Sequence, residues 1–475
     1  MILLLFLIVS IVISILIVLV RNKTLTSVMT VAFALLLILF TVFAWTHLNV
    51  TELTYFTFDS TGVLLLSVLA CLAIPTIWHG FIYTAGNDAK KHSIYHASLV
   101  ALMTFMSGAY LANTMTVLWI FVEATTLAVA VLIYHDRTEM ALEATWKYVF
   151  ICSVGIALAY LGILFLGFIY GRGDAPNLSF ASFAHVISNA SPLYLKIAFV
   201  FVVVGFSTKM GLFPMHTVTI DAHSVAPPPI SALISTTLMN VGFLAIFRVY
   251  TLFSSTSILT FMNHVLILAG LLSLTIAAGY MLKAKHLKRM LAYSSLENMG
   301  LVAIAIGVGG AGYYAALLLL VLHSFTKSGL FYQMGQLSRV LHTFKLDETG
   351  RYMNLYPAGA MVLLTGMVCV LAIPPSGMFI SELMIFRGLV LNDQWFVLIA
   401  AIVLLCFIIY AMSIRIMHIT FSGPRIINDS VLPGKVNPAE TISQFVFFGI
   451  VIVMCFYQPV FLVDLINQSV AMLPK

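Results

Sequence analysis

Six ionisable side chains stand deep inside runs of apolar residues long enough to cross a bilayer: Glu123, Lys209, Glu297, His323, Lys327 and Glu382. A charge in hydrocarbon is costly, so such groups face protein or water and mark ion or proton paths. Carboxylate, amine and imidazole are the three side-chain types that pass protons most readily, and here all three recur at span centres. Glu123 sits in TVLWIFVEATTLAVAVLIY and Lys209 in GFSTKMGLFPMH. An isolated buried carboxylate must be protonated or paired, and Lys209 is the mid-span cation in the same half of the chain. Moving Glu123 toward or away from Lys209 would load or unload a proton on the amine. The pair reads as a switch, because a static buried ion pair is a poor stabiliser.

The second half carries a matching set. His323 and Lys327 in HSFTKSGLF are four residues apart and share one helix face; the imidazole titrates near neutral pH and relays protons where an amine alone is slow. Glu297, in LKRMLAYSSLENMG, lies about two turns deeper than Lys288 and Arg289, with Ser294 and Ser295 placed to hold water. Glu382, in IPPSGMFISELMIFR, is expected to be the terminal site, exchanging protons with the outside. A further group is assigned to proton entry or to hinges: Lys147, Pro214, His216, Asp221, His223, Lys288, Pro374 and Pro375. The segment with His216, Asp221 and His223 reads as a polar loop at the cytoplasmic face. Lys147 stands in a solvated helix entry from which it reaches toward the interior.

The elements that position these residues are membrane helices. Of 475 residues, 61% are hydrophobic and 8% charged, against roughly 25% charged in soluble domains. Hydropathy gives fourteen spans: 3–20, 28–45, 61–85, 97–112, 115–134, 148–170, 194–213, 229–250, 262–282, 291–308, 313–336, 357–389, 396–420 and 441–465. The fold class is an all-α polytopic membrane protein. Pro214 interrupts the seventh span and Pro374–Pro375 with Gly377 the twelfth. Two broken helices five spans apart suggest inverted five-helix repeats, with spans 1–3 in 1–96, repeats in 97–250 and 251–420, and a last helix in 421–475. Sixteen of the 23 lysines and arginines fall in loops after odd-numbered spans and five on the other face, Lys209 and Lys327 being within spans. That asymmetry puts both termini on the outer side.

Five cysteines stand singly in apolar spans, without the spacing of disulfide, zinc or iron–sulfur ligands. Nucleotide loops and nucleophile elbows are absent from the sequence, and nothing points to nucleic acid. With the motifs VEATTLAVAVLIY, EATWKYVFICSVG, DAHSVAPPPISALIS, KRMLAYSSLENMGLVAIAIG and PPSGMFISEL added to those above, residues 97–390 resemble the antiporter-like proton-channel subunits of the complex I superfamily. The closest resemblance is to the F component of hydrogenase 4, in group 4 membrane-bound nickel–iron hydrogenases of the formate hydrogenlyase type. The resemblance implies a midplane chain from Glu123 and Lys209 through Asn240 to His323, Lys327 and Glu382. Many relatives carry a lysine at the position of Asn240, so this step is expected to depend on water.

The function implied is proton translocation inside an energy-converting oxidoreductase of a prokaryotic plasma membrane. It would be driven by redox chemistry in partner subunits, other membrane-arm subunits and a peripheral hydrogenase or oxidoreductase. No cofactor is expected in this chain; a nickel–iron centre, iron–sulfur clusters or quinone would belong to those partners. The rivals are a sodium/proton antiporter subunit of the Mrp type, a membrane module for a carbon-dioxide-hydrating partner, and a structural anchor.

Overall fold

The computed structural model describes residues 1–169, 179–187, 190–424, 434 and 436–474. Arg172, Arg425, Lys435 and Lys475, four of the loop cations counted above, lie outside them. Apart from a two-stranded hairpin, Thr51–Glu52 with Phe56–Thr57, the described secondary structure is helical. In chain order the first helices are α1 (Ile2–Val20), α2 (Lys23–Thr46), α3 (Ser60–Thr84), α4 (Ala89–Leu111), α5 (Met115–Ile133) and α6 (Glu139–Ile169). Next come α7 (Phe180–Val186), α8 (Pro192–Met210), α9 (Thr217–Val225), α10 (Pro228–Leu233) and α11 (Met239–Phe253). The later helices are α12 (Leu259–Lys283), α13 (Leu287–Val308), α14 (Ala311–Leu341), α15 (Tyr352–Leu355) and α16 (Pro357–Val370). The last are α17 (Gly377–Leu391), α18 (Trp395–Phe421), α19 (Ile442–Phe456) and α20 (Val460–Val470).

Among the described residues thirteen helices are long and apolar enough to cross a membrane. The expected span at 357–389 is instead the shorter pair α16 and α17, divided where the prolines stand. Several boundaries differ from the hydropathy reading, α6 starting at Glu139 rather than 148 among them. The fourth helix begins at Ala89 rather than 97, because Asp88 in extended conformation starts it beneath a polar first turn that hydropathy discounts. The last expected span, 441–465, is cut after Phe456 by the segment Tyr457–Gln458–Pro459, since proline cannot continue the ladder.

Both breaks have defined local chemistry. Gly211 ends α8 at φ 69°, and the N–H groups of Gly211 and Leu212 donate to Ser207 O at 2.8 and 3.1 Å; this left-handed cap favours glycine. A cis Phe213–Pro214 bond follows. After α16, Ala372 adopts φ 50°, a cis Pro374–Pro375 bond follows, and the Ser376 hydroxyl caps α17 by accepting from Met378 N–H at 3.2 Å. Between α10 and α11 residues Ile234–Leu238 form a π-helical turn.

The chain divides into two compact units: Met1–Ala226, Thr237–Val265 and Phe461–Lys475 form the first, Pro227–Thr236 and Leu266–Val460 the second. In the first, α6 and α8 cross closely because small residues line both. A Cβ at Gly205 would lie 2.5 Å from Gly155 O and 2.6 Å from Ala159 N, and such stripes let helix backbones approach. Arg248 of α11 donates to Asp59 Oδ1 and to Tyr110 O, both at 2.7 Å. In the second unit α14 is central, packed by α10, α13, α16, α17 and α19. Phe448 of α19 wedges over two glycines, where a Cβ on Gly329 or Gly366 would meet its ring at 2.8 Å.

Candidate functional site

Glu297, His323 and Lys327 lie on two of the most enclosed helices. The apolar windows of α13 and α14 are 100% and 94% buried, against 28% for α1 and 39% for α18. Lipid-facing surface therefore falls elsewhere, and the ionisable groups turn to protein as their cost in hydrocarbon demands.

In the first unit Lys209, in the last turn of α8, is 1% exposed. Its Nζ donates to Thr126 Oγ1 at 2.7 Å and to Tyr148 OH at 3.0 Å, and lies 4.9 Å from the centre of the Tyr148 ring. Glu123 is half-buried one turn from Thr126 on α5. The Thr126 hydroxyl donates to its Oε2 at 3.4 Å, and Ser153 Oγ of α6 donates to its Oε1 at 3.4 Å. The expected pair thus meets through a hydroxyl. Threonine Oγ1 both accepts and donates, so Thr126 accepts from the ammonium on one side and offers its own proton to the carboxylate on the other. Gly242 of α11 lets this lysine approach: a Cβ there would lie 2.7 Å from Lys209 C and 2.9 Å from Lys209 Cβ, and would meet Met210 N.

The second unit assembles three groups from three helices that pack together. Glu297 of α13 is buried, with Oε2 lacking a hydrogen-bond partner among the described residues. Lys327 of α14 is fully buried and donates to Leu291 O at 2.9 Å. It interacts electrostatically with Glu297, which in turn interacts with half-buried Glu382 of α17. One cation for two carboxylates, with Glu297 the group that interacts with both others, leaves room for an extra proton. His323 is buried one turn before Lys327 on the same helix. Ser295 beside Glu297 shares a 2.7 Å hydrogen bond with Ser235 of the π-helical turn. Asn240, a residue of the first unit, is buried in the first turn of α11.

The entry and hinge residues fall differently from the sequence reading. Lys147 does not turn inward: its ammonium pairs with Glu143 at the exposed surface of α6, and Tyr148 takes the interior place. His216, Asp221 and His223 form no irregular loop. His216 precedes α9 and the other two lie on it, packed against α6. Thr219 Oγ1 donates to Thr208 O at 3.1 Å, satisfying a carbonyl at the end of α8. Burial pushes the His216 imidazole below its usual range, with a backbone bond to Pro214 opposing. Lys288 is buried with Nζ 5.4 Å from the Phe344 ring, while Arg289 beside it is exposed. Pro214, Pro374 and Pro375 stand at the two breaks described above.

Two groups of residues escaped the sequence reading. The first is the hydroxyl set Thr126, Tyr148 and Ser153, whose residue types are too common in membrane helices to stand out. The second is a buried histidine cluster. His92 Nδ1 and His96 Nε2 share the Thr84 hydroxyl at 2.9 and 3.3 Å, and their rings are 4.5 Å apart. His135 Nε2 contacts Asn87 Nδ2 at 2.8 Å. The i,i+4 spacing of His92 and His96 was a usable signal, hidden by starting the fourth span at 97. Among the described residues no three histidine, cysteine, aspartate or glutamate side chains converge as metal ligands do.

Residues 112–408 match the family described as NADH:quinone oxidoreductase/Mrp antiporter, TM. Among curated proteins, the Hydrogenase-4 component F homolog of Methylacidiphilum infernorum (isolate V4) is 33% identical over 336 residues, covering 70% of each chain. NAD(P)H-quinone oxidoreductase chain 4 1 of Synechococcus sp. (strain JA-2-3B'a(2-13)) is 27% identical over 388 residues, 80% of this chain and 70% of that one. Among solved structures, a chain of the membrane-bound sulfane sulfur reductase, an archaeal respiratory membrane complex, superposes with a TM-score of 0.87 at 19% identity, covering 99% of this chain and 97% of that one. A chain of the Mrp complex from Dietzia sp. DQ12-45-1b gives 0.85 at 15% identity, covering 99% and 96%.

Proposed function

Because the chain belongs to the NADH:quinone oxidoreductase/Mrp antiporter transmembrane family, we propose that it translocates protons as a membrane subunit of a multi-subunit energy-converting oxidoreductase. The observation that carries this reading is buried Lys209 joined to Glu123 through the Thr126 hydroxyl. An ammonium, a hydroxyl and a carboxylate in line permit a balanced exchange. Lys209 gives a proton to Thr126 Oγ1 as the threonine proton passes to Glu123, leaving a neutral amine, an intact hydroxyl and a carboxylic acid. The second unit offers a comparable set in Lys327, Glu297 and Glu382, with His323 beside it.

The resemblance to a hydrogenase-4 component favours a hydrogenase-linked complex. Nickel–iron, iron–sulfur or quinone chemistry is then assigned to partner subunits of the membrane and peripheral arms. Conformational change driven there would alter the Glu123–Lys209 distance. The membrane is a prokaryotic plasma membrane, and the loop-cation asymmetry favours termini on its outer side.

A sodium/proton antiporter is the second reading, favoured by the oxygens that surround Glu123: its own carboxylate, Thr126 and Ser153. Sodium prefers oxygen ligands, yet the Lys209 ammonium already occupies the Thr126 oxygen, so protons are favoured. The test is redox-driven ion movement by the intact complex in liposomes, with sodium present or replaced by choline. Lumen acidification that persists without sodium supports the proton reading. Transport that stops without sodium, with sodium uptake matching turnover, overturns it.

A further inference from the structure

Two contiguous cavities in the second unit meet at the end of α12. The first, about 600 Å³, is lined by Lys283, Lys285, Asp347, Arg415 and His418 among others; the second, about 430 Å³, by Leu282, Ile402, Val403, Cys406, Phe407 and Tyr410. Leu282 and Tyr410 belong to both, so a cationic mouth runs into an apolar groove along α18. From these features we propose that this groove is a binding site for one anionic phospholipid, its headgroup on Lys283 and Lys285 and an acyl chain along Ile402–Phe407.

The mouth has three permanent cations against one carboxylate. Arg415 forms its floor: Nε, Nη1 and Nη2 donate to the carbonyls of Ala284, Ala411 and Leu282 at 3.3, 2.8 and 2.7 Å. Its charge stays while its donors are committed to the backbone. Lys283 and Lys285 are exposed, and among the described residues neither forms an ion pair, so their ammonium groups supply the donors for a phosphodiester. The loops that bear them are basic, as befits the face where anionic lipids gather.

The groove has the opposite character. Its lining carries no charge, and Ile402, Val403 and Phe407 expose 43%, 48% and 48% of their surfaces. From Tyr410 to Ile402 is roughly 12 Å of helix at the α-helical rise, close to the ~15 Å of hydrocarbon in one leaflet. Tyr410, whose apolar ring and polar tip suit the headgroup level, stands where the two cavities join. A free anion needs the mouth alone, and a partner helix needs the groove alone. A phospholipid with net negative charge uses both.

The test is native mass spectrometry of the intact complex, delipidated stepwise and then offered phosphatidylglycerol, phosphatidylcholine or inorganic phosphate. Wild type is expected to retain phosphatidylglycerol selectively. Lys283→Gln/Lys285→Gln should weaken that retention roughly 25-fold, about fivefold per lysine, while Lys90→Gln leaves it unchanged. Cys406→Trp, which fills the groove with both lysines intact, should also release the lipid. Equal retention of the two lipids, full retention by the double lysine variant, or no lipid on wild type because another subunit covers the groove would overturn the proposal. So would displacement by phosphate together with full retention in Cys406→Trp, which indicates a headgroup-only anion site. The surface lysine variants leave the packed interior untouched, so they decide the matter even if the tryptophan variant fails to fold.

Discussion

At the scale of single residues, the Thr126 hydroxyl and the Glu297 carboxylate make separable demands. Thr126→Val keeps the shape of the side chain but removes the bridge between Lys209 and Glu123. Translocation per turnover should fall at least tenfold, as expected for losing one positioned proton-transfer group, and Thr126→Ser should restore it. The check is lumen acidification against electron transfer in the same vesicles. Glu297→Gln removes the buried carboxylate that interacts electrostatically with fully buried Lys327. Taking away the countercharge of a buried group is destabilising, so assembly should drop. The double variant Glu297→Gln/Lys327→Met should recover assembly while remaining unable to translocate; thermal stability and vesicle acidification, measured together, distinguish the two effects. The charged members of these sites were legible because a charge inside an apolar run has few innocent explanations. Thr126, Tyr148 and Ser153 were not, because their roles arise only when α5, α6 and α8 meet.

At the scale of elements, the crossing of α6 and α8 decides whether Tyr148 reaches Lys209. Gly205→Ala would set a Cβ 2.6 Å from Ala159 N and Cβ, forcing the helices apart. Such overpacking costs typically 1–3 kcal/mol, and ion transport should be lost before the complex falls apart, which size-exclusion chromatography alongside the transport assay would show. The turn from α12 to α13 makes a second prediction. Burial, with Lys288 and Arg289 nearby, pushes His286 down to about 4, so the folded state holds it neutral where the unfolded chain would bind a proton. Its contribution is present above pH 6.5 and is lost as the pH falls from there toward 4, by no more than about 3 kcal/mol. Thermal melting at pH 7 and pH 5 should show a smaller acid-side loss in His286→Gln than in wild type. Helix breaks at Pro214 and Pro374–Pro375 were readable because proline lacks the N–H a ladder needs. The start of α4 and the helical form of α9 were not, since polar first turns and short helices carry little hydropathy signal.

At the scale of the whole molecule, apolar composition and span periodicity made the all-α membrane fold legible, and family motifs over 97–390 anticipated the matched region 112–408. What linear sequence withheld was which polar residues share an interior, because residues 83 apart, such as Thr126 and Lys209, become neighbours only through packing. The cluster of His92 and His96 around the Thr84 hydroxyl is local in sequence and was missed for a different reason, the start of the fourth span at 97. On the proposed function, the Glu123–Thr126–Lys209 relay of this chain carries the protons. The most direct measurement is redox-driven lumen acidification per electron transferred by the intact complex in liposomes, for wild type, Lys209→Ala and Glu123→Gln. Both variants should assemble and lose acidification or coupled turnover. Unchanged proton-to-electron ratios in both would contradict the account, making the pair structural and placing energy conversion in another subunit.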